Sequence, residues 1–146
     1  MSPDAPVSDD VTGGAAPEPL RGLALEASLT VRDLEKSLAW YQGFLGFAVD
    51  RRYERGGRLQ AVAMKAGAVR LLIGQDDGAK GPDRVKGEGF SLQITTDQDV
   101  DALANRVKTS GGVLELEPVD TPWGARVFRV RDPDGFRLAI SSVRPA

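Results

Sequence analysis

The chain has 146 residues, a length that accommodates one domain with a sizeable hydrophobic core. Its formal net charge is −2, so bulk charge gives no attraction to nucleic-acid phosphates. It contains no cysteine and no histidine, which excludes disulfides, thiolate metal sites, a cysteine nucleophile and the commonest general base. A metal site would have to use oxygen ligands, which suit Mg²⁺ or Ca²⁺ better than zinc, nickel or iron.

The first twenty residues are rich in Pro, Gly, Ala and Asp, and we predict a disordered tail there. Residues 21–146 are predicted to form a single domain. No segment is long and apolar enough to span a membrane, and the N-terminus lacks the basic and apolar segments of a signal peptide. We therefore expect a cytoplasmic protein with neither a membrane nor a nucleic-acid partner.

The first half of the domain, residues 22–75, has the pattern of a βαβββ module. Residues 23–31 alternate, with leucines on one face and Glu26, Ser28 and Thr30 on the other, which predicts a strand. Asp33 is placed to cap a helix that ends at Gly46. Three further strands are predicted up to residue 75, the first two joined by a hairpin at residues 56–57.

The second half repeats this order after a polar, glycine-rich segment, residues 76–89, which we interpret as a solvated linker. Residues 90–96 alternate and place Ser91, Gln93 and Thr95 on one face of a predicted strand. An amphipathic helix and three strands follow, the last two joined by the turn "DPDG" at 132–135. Module two covers residues 90–144, and the predicted fold class is α+β with two βαβββ modules.

Two segments resemble a known superfamily. "LTVRDLEKSLAWYQGFLGF" (29–47) is similar to the first strand–helix signature of the vicinal-oxygen-chelate superfamily, and "TPWGARVFRVRDPDGFRLAI" (121–140) is similar to its closing hairpin. This superfamily includes glyoxalase I, extradiol dioxygenases, fosfomycin-resistance enzymes and bleomycin-resistance proteins. The resemblance implies a curled mixed sheet around a cleft, with the helices outside, and a homodimer whose clefts paired chains often complete.

The resemblance also implies four cleft positions that hold one divalent metal in the metalloenzymes of the superfamily. They correspond here to Glu26, Leu71 (or Arg70, one residue earlier), Ser91 and Ala139. Only Glu26 is a good ligand, and one carboxylate does not hold a catalytic metal. We therefore expect no metal and no other cofactor, as in the metal-free, bleomycin-resistance-like branch.

The resulting hypothesis is a metal-independent binding protein for a small, partly aromatic organic molecule, such as an antibiotic that it sequesters. The predicted ligand-binding residues are Glu26, Ser28, Ser91, Gln93, Trp123 and Arg137.

Two alternatives stay open. One is a lyase or isomerase that uses Glu26 as its base, or that has an unusual all-oxygen metal site. The other is a structural or regulatory protein with a vestigial cleft. No residue is predicted to be catalytic unless the chain is an enzyme.

Overall fold

The computed structural model describes residues 17–143, which form two four-stranded sheets and two α-helices. Module one contains β1 (Ala27–Val31), α1 (Leu34–Trp40), β2 (Ala48–Arg55), β3 (Arg58–Ala66) and β4 (Val69–Gln75). Module two contains β5 (Leu92–Thr96), α2 (Val100–Thr109), β6 (Leu116–Asp120), β7 (Arg126–Arg131) and β8 (Arg137–Ser142). The predicted α+β class and the duplicated βαβββ order are confirmed. Most of the predicted tail lies outside the described residues.

The two sheets have the same topology. The strand order is β1-β4-β3-β2 in the first sheet and β5-β8-β7-β6 in the second. In each sheet the first strand pairs in parallel with the last, and the remaining pairs are antiparallel. The helix between the first two strands makes that parallel pairing possible, because a parallel pair needs a crossover connection. In these strand orders, β1 and β5 each lie at one edge of their sheet.

The first helix begins and ends at the residues that the sequence predicts. The Asp33 side chain accepts a hydrogen bond of 3.1 Å from the backbone N–H of Lys36, as an N-cap does. After Trp40 the helix widens into a π-helical turn over Tyr41–Leu45, which the sequence pattern did not predict. Gly46 then ends it with φ of 75°, a left-handed conformation that glycine adopts without steric cost.

One hydrophobic core joins the two modules. α1 packs on β3 and β4, while α2 packs on β6, β7 and β8 and contacts the π-helical turn of module one. The core residues come from the helix-covered faces of both sheets; its fully buried members include Val31, Tyr41, Ile73, Val107, Phe128 and Leu138. A helix covers only one face of each sheet, so the other face is open.

The first strand of each module is shorter than the alternation predicts. β1 begins at Ala27, which pairs with Leu71, the third residue of β4. Leu23 and Leu25 continue the alternation but lie outside the sheet, 97% and 95% exposed. β5 likewise begins at Leu92 rather than at residue 90.

The segment between the modules is held by a contact within itself and by contacts with module one. Lys86 has a nearly buried side chain, and its Nζ lies 2.5 Å from Oδ2 of Asp76. The Arg32 guanidinium donates hydrogen bonds to the backbone carbonyls of Pro82 and Arg84. The linker is thus anchored rather than merely solvated. Within residues 17–143, neither helix is long and apolar enough to cross a membrane.

Candidate functional site

The face of each sheet opposite its helix carries most of the predicted site residues. In β1 the exposed Ser28 alternates with Leu29 and Val31, which are buried under the helix. In β5 the exposed Gln93 alternates with half-buried Leu92 and Ile94. Because successive strand residues point to opposite faces, the polar residues lie on the open face of each sheet, as predicted from the alternation.

The open face of the first sheet brings Glu26 and Ser28 together. Glu26 is exposed and directly precedes β1, one residue before the pair formed by Ala27 and Leu71, so its neighbour on β4 is Arg70. Within residues 17–143 Glu26 makes no ion pair, whereas Arg70 donates to Asp50 Oδ2 at 2.8 Å. The Glu26 carboxylate is therefore available to a ligand.

The open face of the second sheet brings three more predicted residues together. Gln93 pairs directly with Ala139, and extending the same parallel register one residue before its first pair, Leu92 with Leu138, places Ser91 beside Arg137. Ser91, Gln93 and Arg137 are all exposed, while Ala139 is 6% exposed at the floor of the face. This face offers a hydroxyl, an amide and a guanidinium group around a small apolar position.

Trp123 lies away from these residues. It belongs to the turn between β6 and β7, which Thr121 closes by hydrogen bonds with Ala125, and it is 57% exposed. The register places this turn near Ser142, at the opposite end of β8 from Arg137. A six-residue strand is about 17 Å long, so the indole is not a neighbour of Ser91 or Arg137.

The residues that the resemblance assigns to the four metal positions do not fit a metal ion. Leu71 is 3% exposed and lies on the helix-covered face, so Arg70 is the residue on the open face. Ser91 and Ala139 supply one hydroxyl and no donor, respectively. Across the described part of the chain, no three Asp or Glu side chains are close enough together to bind a metal. These residues therefore do not supply a set of ligands for a metal ion.

The two aspartates of "DPDG" are buried; one hydrogen-bonds to module one and the other stabilises the turn itself. Asp134 accepts hydrogen bonds from the backbone N–H and the guanidinium of Arg32, at 2.9 and 3.0 Å. Asp132 Oδ1 accepts from the backbone N–H groups of Asp134 and Phe136, both at 2.9 Å. Burial raises the pKa of Asp132 above its ordinary value, because desolvation disfavours the charged carboxylate.

Sequence reasoning missed further charged residues on the open face of the second sheet. Arg129 pairs directly with Ala139, and Arg131 pairs with Arg137, so all three arginines share that face. Glu115, which precedes β6, contacts Arg131 through its carboxylate. The alternation in "VFRVR" (127–131) carried this signal, because Phe128 and Val130 are fully buried and the arginines between and after them are not.

Comparison with known proteins gives the same fold and a family. The family model "Glyoxalase/Bleomycin resistance protein/Dioxygenase superfamily" matches residues 24–140. A curated relative, the "Probable lactoylglutathione lyase" of Vibrio cholerae serotype O1, is 24% identical over 128 residues, covering 80% of this chain and 87% of that protein.

Solved structures resemble this fold over most of the chain. A glyoxylase/bleomycin resistance protein/dioxygenase domain from Frankia sp. EAN1pec superposes with a TM-score of 0.67 at 24% identity, covering 87% of this chain and 95% of that one. A glyoxalase-related enzyme from Fulvimarina pelagi gives a TM-score of 0.65 at 20% identity, covering 83% and 88%. At these identities the structures show the fold alone. Because the family model matches residues 24–140, which is most of the chain, the chain belongs to the glyoxalase/bleomycin resistance protein/dioxygenase superfamily.

Proposed function

We propose that this chain is a metal-independent binding protein for a small, partly aromatic organic molecule, and that it belongs to the metal-free, bleomycin-resistance-like branch of its superfamily. The observation that carries the proposal is the set of residues at the metal positions. Leu71 faces the core, Ala139 has no donor atom and Ser91 offers only a hydroxyl. A protein that keeps the fold and the open polar faces without a ligand set can bind a molecule and sequester it, as an antibiotic-binding protein does.

The binding site is proposed to form between two copies of the chain. Glu26 and Ser28 lie on one sheet, whereas Ser91, Gln93 and Arg137 lie on the other. Both β1 and β5 are edge strands, and unpaired edges invite pairing with another chain. A homodimer that joins these edges would place the two open faces across one cleft, where a planar ligand could lie between them.

Metal content and ligand binding test the proposal directly. Untagged protein is dialysed against Zn²⁺, Ni²⁺, Mn²⁺ and Mg²⁺, and its metal content is measured by elemental mass spectrometry. We expect well under one metal per chain, since one carboxylate is a weak ligand set. A compound screen by thermal shift, on folded protein, should then give at least one saturable aromatic ligand. Stoichiometric metal would contradict the metal-independent function, and a screen without any binder would contradict the binding function.

A second candidate function is a lyase or isomerase, which the name of the Vibrio cholerae relative favours. Glu26 would be its general base, since it is the one carboxylate at the four corresponding positions. The test compares turnover of lactoylglutathione by the wild-type chain and by Glu26→Gln. An enzyme of this kind would lose turnover in the variant and keep substrate binding. Equal turnover in both proteins would rule out Glu26 as the base.

A further inference from the structure

We propose that the open face of the second sheet recognises the anionic group of the ligand, a carboxylate or a phosphate, through Arg129. This inference rests on the proposed binding function and names the chemical class of its ligand. It starts from the register of β7 and β8, which pairs Arg129 with Ala139 and Arg131 with Arg137. Directly paired residues lie on the same face of a sheet, so three guanidinium groups converge there.

The carboxylates near this face do not neutralise the three arginines. Glu115 lies against Arg131, and its Oε2 is 3.9 Å from Nε of Arg137. The side chain of Arg129 is exposed and makes neither an ion pair nor a hydrogen bond with any residue of 17–143. Among residues 17–143, Glu115 is the one acidic side chain within ion-pair distance of these three arginines, although the whole chain has 21 acidic and 19 basic residues. The positive charge is local to this face.

The neighbours of Arg129 explain why it stays free. Across the sheet it pairs with Ala139 on β8 and with Leu116 on β6, and neither side chain can accept a hydrogen bond. A carboxylate at position 139 would be a direct cross-strand neighbour of Arg129 and would pair with it. Alanine at this position therefore has two effects: it supplies no metal ligand, and it leaves the guanidinium without a partner.

The geometry suits a small organic anion. A guanidinium presents parallel N–H donors that match a carboxylate or a phosphate in a bidentate manner. Gln93 pairs with Ala139 from the other side, so its exposed side-chain amide lies on the same face, two strands away from Arg129. Half-buried Leu116 adds apolar surface next to the guanidinium for the rest of the ligand.

The test titrates full-length, untagged protein with benzoate, phenyl phosphate and benzylammonium, and follows backbone amide shifts by NMR. We expect the two anions to bind, with shifts at the amides of Gln93 and Ala139, and benzylammonium not to bind. The relative affinities of benzoate and phenyl phosphate decide between a carboxylate and a phosphate. Arg129→Gln should weaken anion binding by roughly ten- to a hundredfold, since it removes a charge-assisted hydrogen bond. Arg58→Gln is the matched control, an exposed arginine without an ion pair on the other sheet.

The possible outcomes separate this inference from the function on which it rests. Anion binding that is equal in wild type and Arg129→Gln, or lost equally in Arg58→Gln, overturns the role of Arg129. Binding of benzylammonium without the anions overturns the anionic class but leaves a binding protein. If neither these three probes nor any compound of the thermal-shift screen binds, both the anion site and the binding function are wrong.

Discussion

The hydroxyl group of Tyr41 donates a hydrogen bond of 2.8 Å to Oδ2 of Asp132, which lies 91 residues further along the chain. Tyr41 belongs to the π-helical turn of module one and is fully buried, while Asp132 opens the "DPDG" turn of module two. Burial, together with the neighbouring Asp132 carboxylate, raises the pKa of the Tyr41 phenol, so its proton stays in place. This buried hydrogen bond links the two modules within their shared core.

Removing the hydroxyl group should destabilise the protein. Tyr41→Phe keeps the packing of the ring but leaves Oδ2 of Asp132, a residue that is 5% exposed, without its donor. We expect the free energy of unfolding to fall by about 1–3 kcal/mol, the cost of an unsatisfied buried polar group. Urea denaturation measures this loss. Tyr53→Phe is the control, because Tyr53 is 44% exposed and its hydroxyl has no partner among residues 17–143. Equal losses in both variants would contradict a special role for the Tyr41–Asp132 bond.

The raised pKa of Asp132 predicts a pH-dependent effect of Asp132→Asn. Burial raises this pKa in the folded state above the ordinary value of 3.8, so the folded protein holds the proton more tightly than the unfolded chain. The stability that this contributes is present below pH 3.8 and is lost as the pH rises through the folded-state pKa. Asparagine keeps the Oδ1 acceptor and does not titrate. The free energy of unfolding of Asp132→Asn relative to wild type should therefore increase with pH over this window and then level off.

Urea titrations of both proteins at a series of pH values from 3 to 7 measure that difference. Asp76, whose pKa is lowered chiefly by its hydrogen bond from Lys86, titrates in both proteins and cancels from the difference. A difference that stays constant over the whole range, or that falls as the pH rises, would show that burial does not govern the titration of Asp132.

Local sequence patterns predict the elements of this fold but not the contacts between modules. Alternation identifies β1 and β5 and their open faces, and Asp33 marks the start of α1, because these depend on near neighbours in the chain. The start of β1 depends on its pairing with β4, which no pattern within residues 23–31 contains. The hydrogen bond between Tyr41 and Asp132 is likewise a product of tertiary packing.

The candidate site likewise combines features that local sequence patterns predict with features that depend on tertiary structure. Residue parity correctly places Ser28 and Gln93 on open faces, since it is a property of single strands. The separation of Trp123 from Arg137 follows from the antiparallel pairing of β7 and β8, which the turn "DPDG" already predicts. The freedom of Arg129 depends on two neighbours across the sheet and is invisible until the strand register is known.

Two linker glycines give a matched test of how the linker is anchored. At Gly87, with φ of 75°, an added Cβ would lie 2.9 Å from Cδ1 and 3.0 Å from Cα of Phe136. At Gly89, with φ of 87°, nothing lies within 4 Å. Gly89→Ala should thus cost only the strain of a left-handed backbone, about 1 kcal/mol, and Gly87→Ala should cost about 1–3 kcal/mol more because of the clash. Urea denaturation compares them, and equal losses would mean that the linker does not depend on its contact with Phe136.

The exposed leucines before β1 provide a test of the proposed homodimer. Leu23 and Leu25 are almost fully exposed and continue the alternation of an edge strand, so a partner chain that pairs there would cover them. We expect sedimentation velocity to show a dimer for the wild type and a folded monomer for the double variant Leu23→Ser, Leu25→Ser. Val113→Ser is the control, since Val113 is 83% exposed but precedes β6 in the other sheet.

Because the cleft is proposed to form between copies, the monomeric variant should also lose ligand binding while its circular dichroism is unchanged. A monomeric wild type, or a double variant that sediments as a dimer, would show that these leucines do not form the interface.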